Sequence, residues 1–166
     1  MSQEESKASR REEFVRAYLN DVISNTFQGV SELNEELAGT VLKETCKSCV
    51  SSWLAFIKHN YGYDPEKPDL DAFLVVEEKT QNRISDGKFS ISRQGNVITE
   101  VLTPGQCSCP LVKEHKLVKP FPNLCKCAEN GIKMLWEAAL KRPVKMEVTE
   151  AYNRGGNSCT MRIELL

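Results

Sequence analysis

Apolar residues recur every three or four positions from Glu12 onward. Phe14, Val15, Tyr18, Leu19, Val22, Ile23 and Phe27 make one stripe of an amphipathic helix, with Gly29 as its expected stop. A second helical pattern opens near Ser31 and strengthens through Leu37, Val41, Leu42, Cys46, Cys49, Val50, Trp53 and Ile57. That spacing sets both thiols on the inward face with the indole ring. Turn chemistry over 61–68 ends it, and Asp69 is placed to cap a short third helix carrying Leu70, Phe73, Leu74 and Val76.

After the polar stretch 81–87 the period changes to two. Phe89 and Ile91 alternate with serines, residues 93–96 turn the chain, and Val97, Thr99 and Val101 continue, which predicts a β-hairpin. Prolines at 104, 110, 120 and 122 exclude regular helix or central strand from the next segment. A helical stripe of Ile132, Leu135, Trp136, Ala139 and Leu140 follows and stops at Pro143. Val144, Met146 and Val148 then make a half-buried strand, and after a turn at 154–157 Cys159, Met161, Ile163 and Leu165 form the inward face of a last strand. The elements predict an α+β fold: a twisted antiparallel sheet of about four strands, two hairpins, packed against helices. Residues 1–11 read as a disordered lead-in and 12–166 as a single domain, with a helical half over 12–80 and a sheet, cysteine-rich loop and helix over 88–166.

The 166 residues can bury a core without covalent staples. With 22 basic and 23 acidic side chains the chain has no electrostatic footprint for nucleic acid or an anionic membrane, and no apolar run is long enough for a span or a leader. A cytoplasmic location follows as the expectation, in which seven cysteines are thiols, metal ligands or redox groups rather than a disulfide framework.

Five of those cysteines fall between 107 and 159. Cys107/Cys109 and Cys125/Cys127 are Cys-X-Cys pairs and offer four thiolates, the number a structural zinc takes, although one intervening residue is tighter than the usual spacing. Reduced, partly buried thiols are the alternative. Cys125 and Cys127, just ahead of a helix and beside Lys126, are also the expected nucleophiles if the protein is an enzyme, with His115 or Glu150 as proton carrier. Glu150 continues the inward phase of its strand, and Tyr152, Arg154 and Cys159 lie near it across the turn. Cys46, Cys49, Trp53 and Trp136 would line a ligand space between helices and sheet, though both indoles also suit a core. The common nucleotide, serine-hydrolase and zinc-protease motifs are absent.

The runs Cys107-Ser108-Cys109-Pro110, 124–131 and 143–159 resemble the 4-vinyl-reductase-type hydrocarbon-binding domain and the L-2-amino-thiazoline-4-carboxylate hydrolase-like proteins, over about the last 60 residues. The resemblance implies a twisted antiparallel sheet backed by helices, a dimer, and an enclosed apolar pocket for a small molecule. In one branch it implies a zinc held by cysteines and an acidic residue. Of those ligands Cys159 and Glu150 have counterparts here, while Ala151 stands where a cysteine is expected, so Cys107, Cys109, Cys125 and Cys127 would supply the rest. The hydrolase-like branch implies ring opening of a small cyclic thiazoline. Two functions follow: a small-molecule-binding domain with its pocket beside the cysteines, or a cysteine hydrolase, with a zinc-stapled regulatory protein as a further alternative.

Overall fold

A computed structural model describes residues 3–103, 112 and 121–166. Among these, four α-helices and four strands run in the order α1 (Gln3–Ser31), α2 (Glu35–Tyr61), α3 (Leu70–Ser85), β1 (Phe89–Gln94), β2 (Val97–Leu102), α4 (Cys125–Leu140), β3 (Val144–Glu150) and β4 (Cys159–Leu165). The sheet order is β1-β2-β4-β3, antiparallel throughout, so two hairpins are joined through β2 and β4. This is the expected α+β architecture.

Local chemistry sets the boundaries. Asn34 Oδ1 accepts from the Leu37 N–H at 3.0 Å and Asp69 Oδ1 from the Ala72 N–H at 2.9 Å, capping α2 and α3. The break between the first two helices therefore falls at Asn34, and α1 runs past Gly29 to Ser31. α1 also extends through the lead-in to Gln3. Ala8 and the Glu, Lys and Arg residues there are good helix formers with no breaker among them, so local propensity carries the helix beyond its apolar stripe. Gly62, in the left-handed region at φ 71°, closes α2 and donates to Lys58 O. Gly95, at φ 60°, serves the β1–β2 turn.

The main core lies between the sheet and α2, α3 and α4. Trp136, Phe73, Ile57, Ile98 and Ile163 are fully buried there, with the Phe73 and Trp136 rings edge to face at 4.8 Å. Met161, Ile163 and Leu165 point inward from β4 as expected. On β2 the buried positions are Ile98, Glu100 and Leu102, so the core side of that strand is the parity opposite to Val97, Thr99 and Val101. A satellite cluster of Phe27, Val30, Ala38, Leu42 and Leu124 joins the end of α1 to the start of α2, and Val112, Phe121 and Cys127 pack on it.

Candidate functional site

α2 and α4 pack face to face, and the seam between them brings two of the five described cysteines, Cys46 and Cys127, together. Cys46 on α2 is buried, and its Sγ lies 3.1 Å from the Cys127 carbonyl oxygen and 3.5 Å from Cys127 Sγ in the first turn of α4. Cys46 donates to that carbonyl or accepts the Cys127 S–H. The second arrangement pulls the Cys46 thiol below its ordinary range and pushes Cys127 above it, with burial adding to the Cys127 shift. Seam packing continues where Gly131 lies against Cys46 and where the Asn130 amide donates to Gly39 O at 3.1 Å.

Cys125 faces elsewhere. Its sulfur lies 3.7 Å from the Asn153 amide nitrogen, within electrostatic reach of Arg154, Cys159 and Glu129. Asn153 also donates to Phe121 O, which ties the 3-10 turn Tyr152–Arg154 to the segment entering α4. Burial pushes the Cys125 thiol up, and the Asn153 N–H and the Arg154 charge only partly oppose it. Neither expected nucleophile is thus biased toward thiolate; among these seam thiols the bias falls on Cys46.

Glu150 anchors the loop between β3 and β4. Its carboxylate accepts from the Asn157 N–H at 2.7 Å and the Ser158 hydroxyl at 2.6 Å, and these donors hold it below the usual carboxylate range. Gly156 permits that approach, because a Cβ there would stand 2.5 Å from Glu150 Cγ and 3.1 Å from the Ala151 carbonyl oxygen. Gly156→Ala is expected to cost about 1–3 kcal/mol by overpacking, read as a lower urea midpoint at unchanged slope. An unchanged midpoint would show that the loop relaxes freely.

An open groove of about 620 Å³ runs along one side of the seam. Glu35, Glu36, Gly39, Thr40 and Lys43 of α2 and Lys126, Glu129, Asn130 and Lys133 of α4 line it, together with Met146 of β3. Lys126 bridges Glu35 and Glu129, each at 2.9 Å, and Arg154 acts on Glu35 as well as on Cys125. Groove and sulfurs therefore share the first turns of α4. The expectation was an enclosed apolar pocket between helices and sheet, beside the cysteines, whereas this groove is open and charged.

Other expected site residues separate. Cys49 is exposed, not inward with Cys46, because the buried face of α2 runs through Leu42, Cys46, Val50 and Ile57 and leaves position 49 at its margin. Trp136 is a core residue with no exposure, donating from Nε1 to Glu100 Oε1 at 3.0 Å. Trp53 is half-buried and donates to Glu77 Oε2 at 3.0 Å. Cys107, Cys109 and His115 lie outside the described residues. Among the described residues no three His, Cys, Asp or Glu side chains are grouped to hold a metal ion, and Cys125 and Cys127 face different partners. The expected zinc set thus finds no common point among its described members, Cys125, Cys127 and Cys159.

Glu77 and Glu100 had drawn no functional expectation. Both carboxylates are buried in the main core, each receiving an indole N–H, and Glu77 Oε1 also accepts from Gln81 at 2.7 Å. Among the described residues Glu100 Oε2 has no hydrogen-bond partner. Burial first, then the neighbouring Glu77 charge, pushes Glu100 up to about 8; burial pushes Glu77 up as well. The available signal was positional: Glu77 shares a helix face with Phe73 and Thr80, and Glu100 a strand face with Ile98 and Leu102.

No protein-family model and no curated protein sequence matches the chain, so the motif resemblance over 107–159 is not established as membership. Solved structures do match in fold. A trafficking protein particle complex subunit 3 from Naegleria fowleri, covalently bound to palmitic acid, superposes with TM-score 0.58 at 11% identity, covering 90% of this chain and 96% of that one. An H-NOX domain from Shewanella oneidensis in its Fe(II)CO ligation state superposes with TM-score 0.51 at 12% identity, covering 91% and 75%. At such identities the likeness is one of fold: this chain has the α+β architecture that both proteins share.

Proposed function

We propose that this chain is a small-molecule-binding module whose ligand sits in the α2–α4 groove, with an anionic group on its lysines and an apolar body directed toward the cysteine-bearing end. The observation that carries this reading is a 620 Å³ groove lined by Lys43, Lys126 and Lys133, whose α4 wall starts in the same first turn that holds Cys125 and Cys127. Lys43 has no ion-pair partner among the described residues, and Lys133 reaches Glu137 only at 3.9 Å, so both can turn to an acid. Met146 and the satellite cluster around Val112 and Cys127 supply apolar surface close by. The fold neighbour that carries palmitic acid supports a long-chain acid as the ligand class. The motif resemblance supports a hydrocarbon-like body.

The test is saturable binding of a fluorescent fatty acid, with native mass spectrometry of the protein as purified. Lys43→Glu with Lys133→Glu is expected to weaken binding at least tenfold while leaving the circular dichroism spectrum unchanged. Absence of both saturable binding and a co-purifying compound overturns the proposal.

The same module is inferred to work as a homodimer. α1 presents Phe14, Val15, Tyr18, Leu19 and Val22 to solvent, while its last turns, with Ile23, Phe27 and Val30, pack on the body. A second copy of this chain is the proposed occupant of that face.

A further inference from the structure

Cys46 and Cys127 are 81 positions apart in sequence, yet their sulfurs lie 3.5 Å apart on two packed helices. A disulfide needs about 2.05 Å between sulfurs, so closure asks for roughly 1.5 Å of movement, within reach of side-chain rotation and a small helix adjustment. Gly131 beside Cys46 leaves the seam slack for it. The two thiols differ in access: Cys46 is 1% exposed and Cys127 is only half-buried.

We propose that Cys46 and Cys127 are a redox couple that a low-molecular-weight disulfide oxidises to a covalent staple between α2 and α4. Cys127 is the entry point. It gives up its proton to solvent, its thiolate attacks one sulfur of the small disulfide, and the S–S bond breaks; one small thiolate leaves and takes up a proton. The product is a mixed disulfide on Cys127. Cys46, already in contact, then attacks the Cys127 sulfur and expels the second small thiolate, which takes the proton that Cys46 loses. Two protein thiols are oxidised by two electrons in all, and one small disulfide is reduced to two thiols. Because Cys127 holds its proton tightly the first step is slow, and because Cys46 is in place the second is fast.

The experiment treats the full chain with oxidised glutathione, blocks residual thiols by alkylation and maps the peptides by mass spectrometry. The expected product is a Cys46–Cys127 linked peptide, reversed by dithiothreitol, with loss of two of the seven thiols. No glutathione should accumulate on Cys127. Cys49→Ser should keep the link and Cys127→Ser abolish it. The staple should also raise the melting midpoint by on the order of 5 °C or more, since it closes a long loop. Glutathione left standing on Cys127, either cysteine linked to a different partner, or both recovered fully alkylated would each overturn the proposal. The wild-type map alone decides these outcomes, so the test survives a serine variant that fails to fold.

Discussion

Glu100→Gln is expected to make the protein markedly more stable above pH 8 and to flatten its stability profile between pH 4.5 and 8. In the folded chain the Glu100 carboxyl titrates at about 8 against an ordinary 4.5, so across that window the folded state holds a proton that the unfolded state has released. Stability therefore falls as pH rises from 4.5, and the fall ends once Glu100 ionises in both states near pH 8. For a fully buried group a shift of this size corresponds to a few kcal/mol, on the order of a 10 °C drop in melting midpoint for a chain of this length. Glutamine copies the neutral acid in shape, keeps an acceptor for Trp136 Nε1 and carries no titrating proton. Melting curves of both proteins from pH 4.5 to 9 check this. Parallel pH profiles would show that Glu100 does not set the slope.

The pair is also unequal. Glu77 accepts from both Trp53 and Gln81, whereas among the described residues Glu100 has the Trp136 donor alone and a second oxygen with no partner. Burial raises both carboxyls, and the Glu77 charge adds to the rise at Glu100. Glu77→Gln is accordingly expected to lower the Glu100 titration while weakening the Trp53 contact.

How much of this was legible in the chain depends on whether a residue's surroundings are local. The α4 stripe, the inward face of β4, the cap at Asp69 and the end of α2 in the turn chemistry over 61–68 are set by neighbours within a few positions, and these readings agree with the structure. β2 was harder because Val97, Ile98, Val101 and Leu102 place apolar side chains on both faces, so alternation does not choose a side. That choice comes from the core packing, including the hydrogen bond between Trp136 and Glu100, 36 positions apart. Cys46 shows the same limit. Its inward placement follows from helical spacing, but its partnership with Cys127 and Gly131 depends on how α2 crosses α4, which no local pattern encodes. Cys49 reads as inward only if the buried face is drawn one residue too wide.

Leu19→Glu combined with Phe14→Glu is expected to convert the proposed dimer into a monomer. Phe14 is 71% and Tyr18 60% exposed, with Val15, Leu19 and Val22 beside them at helical spacing. Together they present roughly 500 Å² of apolar surface, about the apolar share of a standard interface burying about 800 Å² per partner. In an isologous dimer each substitution appears twice, so two glutamates per chain would bring four carboxylates into one desolvated patch. Loss of four apolar anchors together with that repulsion raises the dissociation constant by at least about a hundredfold. These side chains touch solvent rather than the body, so the fold should survive, with an unchanged circular dichroism spectrum and melting midpoints that no longer depend on concentration. Light scattering provides the decisive reading: twice 18.7 kDa for the wild type and 18.7 kDa for the variant. A wild-type chain that stays at 18.7 kDa up to tens of micromolar would remove the second copy as the occupant of this face.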